Sequence, residues 1–236
     1  MTPSSGAASA PPPPSQPRVV PFGDRALLAI LGDGVDPDLN RRVHALASRI
    51  RSARAGQPGW GMPVPGYATV LAPFDPDRLD PARAQADLSA WLATALAGDP
   101  PADPAMLLVE IPVRYGGEHG PDLPEVAERL GLTPSQVAEA HASVTYRVYL
   151  LGFRPGFAYL GRLPAELALP RRPEPRPRVP EGSVAIAGRQ TAVYPFATPG
   201  GWHLIGRTSA ILWDLRQDPP AVLRVGERVR FVPERD

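Results

Sequence analysis

The sequence predicts an α+β protein in which a small N-terminal α/β domain is followed by an all-β domain. Three observations support this prediction. Strand-like and helix-like apolar patterns alternate over residues 18–97, an order typical of a two-layer α/β domain. A proline-rich stretch interrupts the pattern at residues 98–104. Beyond Val144, short apolar runs alternate with Gly and Pro, which favours a closed barrel because many short strands otherwise leave exposed edges.

The chain begins with a segment that does not resemble either domain. Residues 1–17 contain six prolines and no charged side chain, so they lack the basic start and the apolar centre of a signal peptide. We expect them to form a disordered tail. The missing signal makes the cytoplasm the expected location of the protein, and the absence of cysteine is compatible with that location.

The N-terminal domain is predicted to comprise residues 18–97. Its first strand is expected at Arg25–Leu31, a compact apolar run closed by glycines. Two amphipathic helices are predicted to begin at Asp36–Pro37 and Asp80–Pro81, because Asp can cap a helix and Pro suits the first helical position. A further strand is predicted between them, at Tyr67–Leu71.

The second domain is predicted to comprise residues 105–236, after a linker at residues 98–104. Its first elements are expected to be a strand at Met106–Tyr115 and a helix at Pro124–Leu130. A second helix should begin at Thr133, whose Thr-Pro-Ser-Gln sequence fits a capping box. Later strands are predicted at Val184–Ala187, Trp202–Ile205, Ile211–Trp213 and Arg228–Val232.

Composition excludes several classes of chemistry. The 25 basic residues are all Arg, and with 24 acidic residues they give a net charge of +1, so charge does not predict nucleic acid or membrane as a partner. Without lysine the chain cannot hold a Walker A motif, a Schiff base or a biotin attachment site. Without cysteine it cannot form disulfides or thiol nucleophiles. Its four histidines show no metal-ligand spacing, and we predict no bound metal.

Two arginine-bearing segments are candidate ligand sites. The turn Phe153–Phe157 can place Arg154 beside the apolar wall of Phe157, which suits a planar carboxylate or amide; the alternative is a hairpin turn with core aromatics. Pro170–Pro180 holds five prolines and four arginines, so it is predicted to be a stiff extended arm. Arg176 is its candidate ligand or partner contact, Arg171 and Arg172 are expected to face solvent, and a solvated linker is the alternative.

Polar strand residues form another candidate set. Gln190, Thr191 and Tyr194 supply amide and hydroxyl groups that can orient a lactam or a urea-like group. Simple strand pairing, with Tyr194 half buried, would also explain them.

Glycines next to an indole form the last candidate set. Gly200 and Gly201 precede Trp202, and Arg207 follows. Bare backbone N–H groups here would form an anion-accepting concavity. A tight barrel corner would require the same glycines.

Long motifs in this order resemble the family of 5-oxoprolinase B subunits (PxpB), also known as allophanate hydrolase subunit 1 or KipI-like proteins. The resemblance covers residues 18–236 and rests on Tyr146–Gly161, Pro170–Ser183, Gln190–Pro195 and Pro199–Thr208. It implies a cyclophilin-like barrel of the carboxyltransferase subdomain C and D type for the second domain. His141 matches a histidine of the family motif, which makes it a candidate proton carrier, although a histidine ending a helix also has a structural explanation.

The resemblance also implies a function. It points to the B subunit of an ATP-dependent 5-oxoprolinase, a hydrolase that opens 5-oxo-L-proline to L-glutamate in complex with homologues of the C and A subunits. ATP would bind at a site shared with, or located on, a partner, and the isolated chain should be inactive. On this interpretation His141 and Arg154 are catalytic, and the substrate-binding residues are Phe157, Arg176, Gln190, Thr191, Tyr194, Gly200, Gly201, Trp202 and Arg207.

Two alternatives share the same fold. One is an inhibitor of a sensor histidine kinase, like KipI. The other is an allophanate hydrolase or urea carboxylase-type subunit, which would require a biotin carboxylase partner. Genes adjacent to the coding sequence would discriminate between these functions.

Overall fold

The computed structural model describes residues 16–102 and 107–234. The chain divides into two compact units, one ending at Pro100 and one starting at Pro101. Most of the predicted tail, and residues 103–104 of the predicted linker, lie outside the described residues. The α+β class is confirmed. None of the helices within the described ranges combines the length and apolar character needed to cross a membrane.

The first unit is a four-stranded antiparallel sheet packed against two helices. The strand order is β1-β2-β4-β3. Both predicted helix caps are confirmed: the Asp36 carboxylate accepts a hydrogen bond from Leu39 N, and the Asp80 carboxylate accepts one from Arg83 N, each at 2.9 Å. The elements are β1 (Arg18–Pro21), β2 (Ala26–Ile30), α1 (Pro37–Ala53), β3 (Val64–Pro65), β4 (Thr69–Pro73) and α2 (Pro81–Leu96).

The second unit is built on a closed seven-stranded barrel with the order β10-β7-β6-β13-β5-β12-β9. Strand β13 runs parallel to β5, whereas the other neighbouring strands are antiparallel. Strands β8 and β11 form a separate two-stranded ribbon. The elements are β5 (Leu108–Tyr115), α3 (Leu123–Leu130), α4 (Pro134–Ala142), β6 (Thr145–Leu151), β7 (Ala158–Gly161), β8 (Arg176–Val179), β9 (Ser183–Ala187), β10 (Gln190–Val193), β11 (Thr198–Gly200), β12 (His203–Arg207) and β13 (Arg228–Pro233).

One predicted strand is wrong. Ile211–Trp213 is a loop in which only Trp213 makes an isolated bridge, to Ala221. The barrel closes without this segment, so the barrel offers it no free strand edge. The capping box at Thr133 is confirmed by reciprocal hydrogen bonds with Gln136.

The barrel wall has two differently packed faces. Along β9, Val184 and Ile186 belong to the barrel core, whereas Ala185 and Ala187 belong to a second apolar cluster. This alternation follows from the period of two in a strand. The second cluster contains Val179 of the ribbon, so it packs on the outer face of the wall, beneath the ribbon.

Candidate functional site

Five aromatic rings meet on the outer face of the barrel. The ring centroid of Phe157 lies 5.3 Å from that of Phe153, 4.9 Å from Tyr159, 5.3 Å from Tyr194 and 6.0 Å from Trp202. All four pairs are edge-to-face, an arrangement that aromatic quadrupoles favour. Phe157 is therefore the centre of this cluster, which we call the aromatic face.

The hairpin turn between β6 and β7 brings Arg154 to the aromatic face. Phe157 N donates a hydrogen bond to Arg154 O at 3.0 Å, which closes the turn. The Arg154 guanidinium lies 5.8 Å from the Phe153 ring centroid, and its Nε donates to Thr198 Oγ1 at 3.3 Å. The hairpin turn and the core position of Phe157 are confirmed, whereas Arg154 reaches the surface and stays a candidate ligand contact.

Phe153 adopts an unusual backbone conformation in this turn. Its φ of 69° is the single positive value for a non-glycine residue in the described ranges. Left-handed geometry is strained for a bulky side chain and often marks functional sites. The side chain is 56% exposed, so the turn holds an aromatic ring in solvent at the edge of the aromatic face.

A buried carboxylate fixes the proline-rich arm. Asp122 is 4% exposed, and its carboxylate accepts hydrogen bonds from both Nη atoms of Arg176, at 2.9 and 2.5 Å. Arg172 Nη1 lies 3.3 Å from the same carboxylate, and Leu204 N donates to it at 2.7 Å. The expectation that Arg172 faces solvent is wrong, since Asp122 draws it inward. Arg176 is an anchor of the arm, and its charge is already paired.

Arg171 differs from these two arginines. It is exposed, its Cζ lies 6.0 Å from the Trp202 ring centroid, and within the described ranges it has no carboxylate partner. The same holds for Arg154. The sequence does not single out Arg171, because nothing in a Pro-Arg-Arg sequence distinguishes the anchored arginine from the free one. The aromatic face thus carries two guanidinium groups whose charge is unpaired.

The phenols on the aromatic face remain protonated. Burial raises the pKa of Tyr194 to about 12, with the positive charge of Arg171 opposing that rise. Burial also raises the pKa of Tyr159, again against the effect of Arg171. Neither phenol ionises near neutral pH, so the two unpaired guanidinium groups are not neutralised by phenolate.

The other predicted strand residues lie on opposite faces of the barrel wall, and the two predicted glycines lie at the end of strand β11 of the ribbon. Gln190 lies opposite Ala187 on the side of the aromatic face, whereas Thr191 is buried inside the barrel. A side chain at Gly200 would collide with the Tyr194 hydroxyl, while one at Gly201 would meet only Pro175 at an ordinary 3.7 Å. Gly200 is therefore the glycine that close packing requires.

His141 lies fully buried in the barrel interior. Thr191 Oγ1 donates to Ala185 O at 3.0 Å, so it accepts from His141 Nε2 at 2.8 Å. His141 Nδ1 then accepts from the Tyr115 hydroxyl at 2.7 Å. Burial lowers the pKa of His141 to about 3. Both nitrogens of the His141 ring are hydrogen-bonded, and the ring is buried and neutral. These features disfavour a role as a proton carrier and favour the structural explanation.

Arg207 stands apart from the aromatic face. It lies at the opposite end of β12 from Trp202 and lines an open pocket of about 470 Å³ together with Arg114, His119 and Glu181. The predicted site residues are therefore distributed over the aromatic face, the barrel interior and this pocket. In the part of the chain that the structure describes, no group of three His, Asp or Glu side chains could hold a metal ion.

Comparison with protein families agrees with this architecture. Residues 17–223 match the family described as "Carboxyltransferase domain, subdomain C and D", which defines the class of the chain. The B subunit of 5-oxoprolinase from Bacillus subtilis is 39% identical over 221 residues, which cover 89% of this chain and 90% of the relative. The chain belongs to the family of 5-oxoprolinase B subunits, as the resemblance predicted.

Further relatives differ in how much of them the chain covers. The 5-oxoprolinase B subunit of Escherichia coli O157:H7 is 58% identical over 134 residues, which are 57% of this chain and 62% of the relative. The crystal structure of TTHA0988 is 42% identical with a TM-score of 0.75, and the match covers 90% of this chain but 40% of that one. Urea carboxylase from Kluyveromyces lactis, at 19% identity and a TM-score of 0.74 over 92% of this chain and 22% of that one, shares the fold.

We predict that Asp122→Asn strongly destabilises the protein. The change leaves the partly buried Arg176 guanidinium without its counter-charge and leaves Arg172 with only the Glu125 carboxylate, at 3.5 Å, which should lower the free energy of unfolding by about 3 kcal/mol in urea denaturation. Glu110→Gln is the matched control, because it breaks an exposed ion pair with Arg230 and should cost about 1 kcal/mol or less. Equal losses for the two variants would contradict the anchoring role of Asp122.

We predict that His141 contributes to acid sensitivity. Its pKa is about 3 in the folded protein and near 6.5 when exposed, so the unfolded chain binds more protons between these values and stability decreases as the pH falls. The contribution is complete above pH 6.5 and is lost towards pH 3. Urea unfolding at a series of pH values should give a flatter profile for His141→Gln. Parallel profiles for protein and variant would refute this.

Proposed function

We propose that this chain is the B subunit of an ATP-dependent 5-oxoprolinase, which opens 5-oxo-L-proline to L-glutamate with hydrolysis of ATP. The observation that carries the proposal is the identity of 39% with the Bacillus subtilis 5-oxoprolinase B subunit across 89% of this chain. The relatives from Bacillus subtilis and Escherichia coli O157:H7 are both named as subunits, which supports a role within a larger complex. We place that complex in the cytoplasm.

The aromatic face is the proposed substrate site. The substrate carries one carboxylate on a flat lactam ring, and Arg154 and Arg171 offer two unpaired guanidinium groups at the aromatic face. Planar guanidinium groups bind carboxylates in bidentate geometry. The exposed Phe153 ring supplies an apolar wall that the buried Phe157 and Trp202 rings support from beneath. The Gln190 amide is suited to orient the lactam. Gly200 and Gly201 complete the proposed site.

The lactam is stabilised by amide resonance, so its opening requires activation. Water must add to the carbonyl carbon, the ring C–N bond must break, and the nitrogen must take up protons to become the ammonium group of glutamate. ATP transfers a phosphoryl group to the amide oxygen and becomes ADP; this oxygen then leaves as part of phosphate, and a second water supplies the other oxygen of the new carboxylate. The two unpaired arginines suffice for one substrate carboxylate, so we propose that the ATP site lies wholly or partly on a partner.

The proposed partners are homologues of the C and A subunits of 5-oxoprolinase. The chain contains no lysine or cysteine, so it lacks two common sources of phosphate binding and covalent catalysis. The TTHA0988 comparison also supports additional polypeptide, because the matched unit accounts for 40% of that longer chain. We propose that catalysis begins when such a polypeptide covers the aromatic face.

We predict that activity requires the complex. The purified chain should show no ATP-dependent release of glutamate from 5-oxoproline, whereas coexpression with homologues of the A and C subunits should give turnover. Glutamate and ADP would be measured together, with omission of each component in turn as the control. Turnover by the chain alone, or an inactive complete complex, would contradict the proposal.

Within the active complex, Arg154→Gln and Arg171→Gln should each raise KM for 5-oxoproline about tenfold or more, because each removes a charge-assisted hydrogen bond to the carboxylate. Arg178→Gln is the matched control, since Arg178 is an exposed arginine on the same arm. It should leave KM and kcat unchanged. Unchanged KM in both test variants would place the carboxylate elsewhere, even if the complex were active.

A further inference from the structure

The pocket beside Arg207 has the features of a separate binding site. Its volume is about 470 Å³, within the range of small-molecule sites. It forms where β12 ends, beside the turn between β8 and β9 at Glu181–Gly182. A side chain at Gly182, whose φ is 77°, would collide with Thr208 O, so this wall is closely packed. We refer to it as the Arg207 pocket.

Two opposite charges face this pocket without neutralising each other. Arg207 Nε donates to the backbone O of Glu181 at 2.9 Å, which uses one guanidinium donor and leaves the Nη groups available. Within residues 107–234, the Arg207 guanidinium forms no ion pair and neither does the Glu181 carboxylate. Both side chains are exposed. The pocket thus offers one unpaired cation and one unpaired anion as neighbours.

The charges on the opposite wall of the pocket neutralise each other. Arg114 Nε lies 2.8 Å from Glu234 Oε2, so these two side chains satisfy each other. Ala210 and the 59% exposed Ile211 add an apolar wall, and Ser209 adds an exposed hydroxyl. A phosphate or dicarboxylate would be repelled by the unpaired Glu181 carboxylate. A ligand that carries both charges and an apolar group would complement Arg207, Glu181 and the apolar wall of this pocket, which His119 also lines.

We infer that the Arg207 pocket binds a free α-amino acid with an aliphatic side chain. The ligand carboxylate binds the Arg207 guanidinium and the Ser209 hydroxyl, and the ligand ammonium binds the Glu181 carboxylate. The aliphatic side chain packs on Ala210 and Ile211. This site is distinct from the aromatic face, and the inference does not rest on the proposed 5-oxoprolinase activity.

Isothermal titration calorimetry of the full chain with L-leucine tests this inference. L-Leucine should bind, whereas 4-methylpentanoate, which lacks the ammonium, and 3-methylbutylamine, which lacks the carboxylate, should each bind about tenfold or more weakly, because each leaves one pocket charge unpaired. Arg207→Gln and Glu181→Gln should weaken L-leucine binding by a similar factor. Circular dichroism would verify that the exposed substitutions preserve the fold.

Arg178→Gln serves as the matched control and should bind L-leucine like the unaltered chain, because Arg178 is exposed on the arm and does not line the pocket. Three outcomes would overturn the inference. They are no measurable binding at about 10 mM L-leucine, binding of both one-charge analogues as tight as that of L-leucine, or unchanged L-leucine binding in both pocket variants.

Discussion

The carboxylate of Asp122 is the constraint on which the outer architecture of the second unit depends. It accepts hydrogen bonds from Leu204 N in the barrel wall and from the Arg176 guanidinium in the arm. One buried group therefore joins the barrel wall to the arm. An isolated buried carboxylate would be strongly unfavourable, whereas one satisfied by a forked guanidinium and a backbone N–H is tolerated. Because the arm is fixed in this way, Arg171 comes to lie over Trp202.

The aromatic face in turn depends on small residues in the wall beneath it. Ala185, Ala187 and Ala192 are buried on the outer side of the barrel, and their short side chains leave room for the rings. Larger residues such as Val184 and Ile186 point inward and fill the core. The methyl group of Ala192 fits within this layer.

Sequence analysis succeeded where the signal was local. The caps at Asp36, Asp80 and Thr133 were predictable because each cap bonds a backbone N–H three residues away. Interactions between distant segments were not predictable. Asp122 and Arg176 are 54 residues apart, and nothing local pairs them or separates Arg172 from Arg171. The burial of His141 likewise depends on barrel closure, which brings Thr191 to it from 50 residues away.

The position of β13 has a consequence for biosynthesis. This strand lies between β5 and β6, and it joins residues 228–233 to residues 108–113 in parallel register. Barrel closure therefore cannot precede the emergence of residue 233 from the ribosome. Until then, the edges of β5 and β6 that β13 joins lack their partner strand in the nascent chain. Contacts between residues so far apart in sequence form slowly. The interval of synthesis before closure is when the unit would most need chaperone protection.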